Sequence, residues 1–242
     1  MLIQFRQDLQ EYRNPEKAKL LSRFFKTGKG EYGEGDVFYG LSVPQSRKLV
    51  KKYKGMPLPD ISKMLSSSVH EERLIALLIL VEQFQKGDEK LQEEIYTFYL
   101  AHTTAINNWD LVDVTVHKIV GEHLYHQMRL DRANDPLKVL IPLAKSQLLW
   151  DRRIAMIATF AFIYHGISQP TYAVAGVLIN DTHDLVQKAV GWMLREAGKR
   201  ISQEEEEAFL VQHYKTMPRT ALRYAIERFD EEKRKKYLRG EI

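Results

Sequence analysis

The chain has no cysteine, which excludes disulfides, thiolate metal ligands and cysteine nucleophiles and fits a reducing compartment. It also has no apolar run approaching the roughly 20 residues that a membrane-spanning helix needs. The longest, Leu74 to Val81, suits a buried helix. The opening residues, Met1 to Asp8, are amphipathic and carry an early acid, unlike a secretion signal, so a cytoplasmic location is expected. Alternating strand patterns are missing throughout, and the expected fold class is all-α. No Gly-x-Ser-x-Gly, Walker lysine or His-Glu-x-x-His motif is present. Glycine is concentrated in one place: five of the 13 glycines lie between Thr27 and Leu41, at positions 28, 30, 33, 35 and 40. No Gly-Lys-Ser/Thr follows and no strand precedes, so this is not a phosphate cradle. It reads as a long ordered loop joining two helices, with a cover over a groove as the alternative.

What is present is helical. Asn14-Pro15-Glu16 has the form of an N-cap followed by proline, and Val43-Pro44 starts another helix running to Tyr53. Further helices are expected over 70–86, 89–103, 108–127, 135–146, 149–165, 170–179, 183–199, 203–215, 217–229 and 230–238. Arg73-Leu74-Ile75-Ala76-Leu77 resembles Arg152-Arg153-Ile154-Ala155-Met156, and central alanines recur at 155, 189 and 221. Those intervals suit stacked helical hairpins, each unable to bury its face alone. The expected architecture is a single α-solenoid of HEAT-like repeats over 1–242, with a concave basic groove, acting as a monomer. A net charge of +4 permits a nucleic-acid partner without requiring one. Positive charge gathers at Arg47-Lys48, Lys51-Lys52 and Lys54, at Arg152-Arg153 and at Lys233 to Lys236. Taken singly, each cluster is an ordinary solvated helix face.

One stretch points to chemistry. In Asn107-Asn108-Trp109-Asp110-Leu111-Val112-Asp113, an indole and a carboxylate lie four apart on one helix face. A π surface beside an anion can hold a cationic or electron-poor group. Asp110 suits the positive end of the helix. Asp113 sits a full turn in, where a cap is no longer needed, so it either pairs with a neighbouring repeat or acts on a ligand. Trp192 points well away from the apolar stripe of its helix and either packs on the next helix or faces a groove. Arg152 and Arg153 begin a helix that is apolar nearly all round, so both are expected to emerge from the core. An arginine there conflicts with the helix dipole, and a bound phosphate or a neighbouring carboxylate would remove the conflict. His123 and His126 have no matching second pair, so no metal and no cofactor is expected.

Taken together, these residues resemble the AlkD-like DNA alkylation repair proteins, HEAT-like-repeat glycosylases that remove cationic alkylated purines. The similarity runs through Asn14 to Ala18, Trp109-Asp110-x-Val112-Asp113, Trp150 to Ile154 and Lys188-Ala189-x-Gly191-Trp192-x-Leu194-Arg195-Glu196. The sequence departs from the best-known type in having one indole preceded by Asn108, and in a longer glycine-rich loop. The resemblance implies that Asp113, Trp109 and Trp192 are catalytic and meet across a positively charged hollow. Asp113 would stabilise an oxocarbenium-like sugar and orient water, while the two indoles pack on the deoxyribose. It also implies that Arg153 contacts a phosphate, with Arg152, Lys188, Arg47 and Lys51 adding affinity for DNA. The implied partner is double-stranded DNA containing alkylated bases, with no membrane. From repeats alone, a protein-interaction scaffold is the favoured reading, and a non-catalytic binder of distorted or branched DNA is the other alternative.

Overall fold

The computed structural model describes residues 1–131 and 133–242, and its regular structure is helical. The chain divides into two compact units, Met1–Thr115 and Val116–Ile242. The first contains α1 (Leu2–Glu11), α2 (Pro15–Phe24), α3 (Val43–Tyr53), α4 (Leu58–Leu65), α5 (His70–Lys86), α6 (Glu89–Ala101) and α7 (Trp109–Asp113). The second contains α8 (Glu122–Leu130), α9 (Leu137–Ala144), α10 (Leu149–Tyr164), α11 (Gln169–Leu178), α12 (Asp184–Arg200), α13 (Gln203–His213), α14 (Arg219–Ala225) and α15 (Glu231–Arg239). The all-α reading holds, and no helix among the described residues is long and apolar enough to cross a membrane.

Local sequence explains most boundaries. Asn14 caps α2 by accepting from the amide of Lys17 at 3.0 Å, and Pro15 occupies the first turn, where its missing N–H costs nothing. Ser42 and Gln45 form a reciprocal capping box at the head of α3. The run from Ile75 to Val81 makes α5 the buried axis of the first unit, apart from a half-buried Leu78. In the second unit that place belongs to α10, which packs against α9, α11 and α12.

The repeat signal in the sequence has a side-chain counterpart. Ahead of α5, the Ser67 hydroxyl accepts from the amide of Val69 at 3.1 Å and donates to Glu72, while Arg73 donates to the Ser67 carbonyl at 2.8 Å. Ahead of α10, Ser146 accepts from Leu148 at 3.1 Å and donates to Asp151, while Arg152 donates to the Ser146 carbonyl at 3.1 Å. At α12, Asp181 accepts from His183 at 2.8 Å, and Gln187 donates to the Asp181 carbonyl at 2.9 Å. In all three, a short polar side chain turns the chain into the helix, and the residue six later ties the first turn back to that turn. Ala155, Ala189 and Ala221 lie buried on α10, α12 and α14, which pack in that order.

That packing is tightest at Gly191. A Cβ there would lie 2.3 Å from the Ala221 carbonyl oxygen and 2.5 Å from the Tyr224 Cβ, so α12 and α14 approach only because the side chain is absent. Gly191→Ala is expected to cost about 2–3 kcal/mol through overpacking and to lower the melting temperature by roughly 5–10 °C. An unchanged thermal scan would contradict this account of the contact.

Candidate active site

The helix expected over 108–127 is not continuous. α7 ends at Asp113, where the Thr115 amide turns back to the Val112 carbonyl at 3.2 Å and the Thr115 hydroxyl donates to the Leu111 carbonyl. Back-bonding of this kind competes with helical pairing and bends or ends a helix. The second unit then opens with a π turn at His117–Gly121 before α8. Trp109 and Asp113 therefore occupy one isolated helical turn, started by Asn108, whose side chain accepts from the Trp109 amide at 2.8 Å.

Both residues are half-buried. The Trp109 ring stacks on Phe25, with centroids 5.2 Å apart, and meets the edge of Phe24 at 5.8 Å. Asp113 lies within electrostatic reach of Tyr99. Burial, reinforced by the Asp113 charge, pushes the Tyr99 hydroxyl well above its ordinary value, against the opposing effect of its 2.9 Å bond to Thr115. The turn thus carries an indole backed by Phe25 and, four residues on, a half-buried carboxylate, a pair of groups suited to positive charge.

Behind this turn lies a polar cluster that the sequence reading missed. His70, the first residue of α5, is buried, with Nδ1 3.0 Å from Asp36 Oδ2 and Nε2 2.8 Å from Asp110 Oδ2. Arg73 donates to the other Asp36 oxygen at 2.7 Å. Burial works against a charged imidazole, but the hydrogen bonds to Asp110 and Asp36 and the charge of Asp110 outweigh it; Arg73 also opposes. The outcome is a His70 pKa raised to about 9. Asp110 does carry a capping interaction, its Oδ1 accepting from the Leu111 amide at 2.9 Å, and it serves His70 as well.

Asp36 belongs to the glycine-rich loop, and the neighbouring acid holds the rest of that loop. The buried Glu71 carboxylate accepts from three successive amides, Tyr39 at 3.0 Å, Gly40 at 2.7 Å and Leu41 at 3.2 Å. Val37 pairs with Val69 in a single parallel bridge. Gly40 has φ +88°, and a Cβ there would sit 2.2 Å from the Asn14 carbonyl oxygen. Phe38 stacks on both Phe25 and His70. The loop is therefore an ordered connection, built against the elements that carry Trp109. A signal was present in the sequence: four chargeable residues, His70-Glu71-Glu72-Arg73, lead into an apolar helix, where each needs a partner.

The remaining candidates are placed as follows. In the first unit, Arg47 and Lys51 are exposed on α3 without an ion pair among the described residues, whereas neighbouring Lys52 is engaged by Asp8. In the second, Lys188 pairs with Asp184 at 2.9 Å, and Trp192 is half-buried with its ring 6.3 Å from Phe160. The expectation that both arginines of α10 emerge from the core is corrected for Arg153. It is 5% exposed, and its guanidinium donates to the Leu185 carbonyl. Arg152 is half-buried and takes the carboxylate alternative, binding Asp181 at 2.7 Å together with the carbonyls of Ser146 and Gln147. The dipole conflict is thus met by partners within the protein.

An all-α chain with an aromatic–carboxylate turn of this kind is matched over residues 5–229 by the family model described as DNA alkylation repair enzyme. The chain belongs to that family, which gives it a role in the repair of alkylated DNA, with DNA as its substrate. Among solved structures, it is similar to one described as "Predicted DNA alkylation repair enzyme from Enterococcus faecalis", at 16% identity and a TM-score of 0.68. The match covers 90% of this chain and 97% of the other. No curated protein sequence matches it.

Proposed function

We propose that the protein is a monofunctional DNA glycosylase that hydrolyses the N-glycosidic bond of N3- and N7-alkylated purines in duplex DNA. The observation that carries this reading is the Trp109–Asp113 turn, where a half-buried carboxylate stands beside an indole fixed from behind by Phe25. An alkylated purine is already cationic and leaves without a strong general acid, so one carboxylate suffices where ordinary glycosides need a pair. Asp113 stabilises the positive charge that develops on the sugar and orients the attacking water. Trp109 packs on the deoxyribose, and Trp192 is assigned the same kind of contact. No lysine nucleophile takes part, so the abasic strand stays intact.

Exposed Arg47 and Lys51, together with Lys188, supply phosphate contacts. Arg152 and Arg153 join them only by exchanging the Asp181 carboxylate and the Leu185 carbonyl for phosphate oxygens. Affinity for duplex DNA is expected to fall steeply with added salt. Replacing both Arg47 and Lys51 by Gln is expected to reduce the slope of log K against log salt by roughly 1 per residue removed. Fluorescence anisotropy across a salt series measures this, and an unchanged slope would remove α3 from the interface. The activity itself is tested by incubating the wild-type chain with duplex carrying a single 7-methylguanine and quantifying free base.

A further inference from the structure

The cluster behind Trp109 has a geometry that fixes its own charge. Both imidazole nitrogens of His70 face carboxylate oxygens, Asp36 at 3.0 Å and Asp110 at 2.8 Å, and a carboxylate oxygen only accepts. A neutral ring has one N–H and would turn its lone pair towards one of the two acids. Only the imidazolium satisfies both sides. With it, Asp36, Asp110, His70 and Arg73 balance as two negative and two positive groups; without it, a net negative charge is buried. The adjacent acids on α5 face elsewhere, Glu71 towards the loop amides and Glu72 towards Arg6 and Ser67.

We propose that His70 is a positioning residue for the proposed base-excision reaction: its doubly bonded imidazolium ties the glycine-rich loop, through Asp36, to Asp110 beside Trp109. The inference rests on the reading of Trp109 as a nucleotide-contacting residue. Three observations support the tie. Asp110 lies between Trp109 and Leu111 in a turn of only five residues, so the imidazole bond holds a large part of that turn. The His70 ring also tilts against Phe25 at 5.0 Å and stacks on Phe38 at 4.5 Å, and Phe25 carries the Trp109 ring. Finally, Asp36 is buried and held by Arg73 as well as by His70, so the loop end of the tie is itself fixed. His70 touches no substrate in this scheme; it acts by holding the turn that does.

Loss of the proton should loosen the turn. The ring holds its charge below about pH 9 and loses it as pH rises through that value. The test uses the full chain labelled with 5-fluorotryptophan, the Trp109 resonance being assigned by its absence in Trp109→Phe. The Trp109 fluorine signal is expected to titrate with a midpoint near pH 9 in the wild-type chain. The single-turnover rate of 7-methylguanine release, corrected for spontaneous loss, is expected to fall along the same curve. His70→Gln should remove both titrations and slow release by about tenfold through misplacement of the turn. Should that variant not fold, Asp36→Asn serves instead and is expected to displace the midpoint; the wild-type titration needs no variant at all. A Trp109 signal that stays constant between pH 7 and 10 would overturn the proposal, as would an excision rate that ignores a titrating Trp109. If the wild-type chain releases no base at any pH while Trp109 still titrates with His70, the glycosylase reading fails and the structural tie stands.

Discussion

Asp113→Asn is expected to lower the single-turnover rate of 7-methylguanine excision by about 10²–10³-fold while leaving affinity for duplex DNA nearly unchanged. That loss corresponds to about 3–4 kcal/mol of transition-state stabilisation. The substitution preserves shape and removes only the negative charge, so it isolates the role claimed for the carboxylate. The charge matters most where it is least screened, and Asp113 is half-buried beside the fully buried Tyr99. Binding draws on phosphate contacts by other residues and should survive. Rate and affinity are measured on the same methylated duplex. Retained turnover in this variant would remove Asp113 from the mechanism, and a parallel collapse of affinity would show it to be a binding residue instead.

The second large effect is on stability. Glu71→Ala takes away the acceptor shared by the amides of Tyr39, Gly40 and Leu41, and nothing in an alanine replaces it. Three donors at a buried or part-buried position would be left unpaired, a loss of about 3–5 kcal/mol. A melting temperature lower by roughly 10 °C is the expected reading in a thermal scan. Glu71→Gln keeps one acceptor oxygen and should fall between the two. A Glu71→Ala protein that melts with the wild type would mean that the glycine-rich loop is held by something other than this carboxylate.

These two residues also mark what was legible in the sequence. Asp113 could be singled out because it lies a full turn into its helix, where a carboxylate no longer has a capping duty. The bounds of α3 and α5 were equally plain, since Pro44 and the apolar run from Leu74 make local and tertiary preferences agree. Glu71 was hidden because an acid in a first turn looks like an ordinary dipole partner. Its true partners lie some thirty residues earlier, in a loop whose path no periodicity reports. His70 was hidden for the same reason. At the break after Asp113 a threonine hydroxyl turns back to Leu111, a choice that side-chain pattern does not reveal. Arg153 starts a helix that is apolar nearly all round, a pattern that places it at the edge of the core, but a backbone carbonyl at Leu185 meets the buried guanidinium. Arg152 is explained better by comparison within the chain: Arg73 and Arg152 make the same bond to a serine carbonyl six residues back, which marks a repeated way of starting a helix.

The most direct test of the account is base release itself. Purified protein is incubated in excess with duplex carrying one 7-methylguanine, and the products are resolved by mass spectrometry. Free 7-methylguanine and an intact strand bearing an abasic site are expected, formed by the wild-type chain and barely by Asp113→Asn. Binding of that duplex with no base released by the wild-type chain would contradict it.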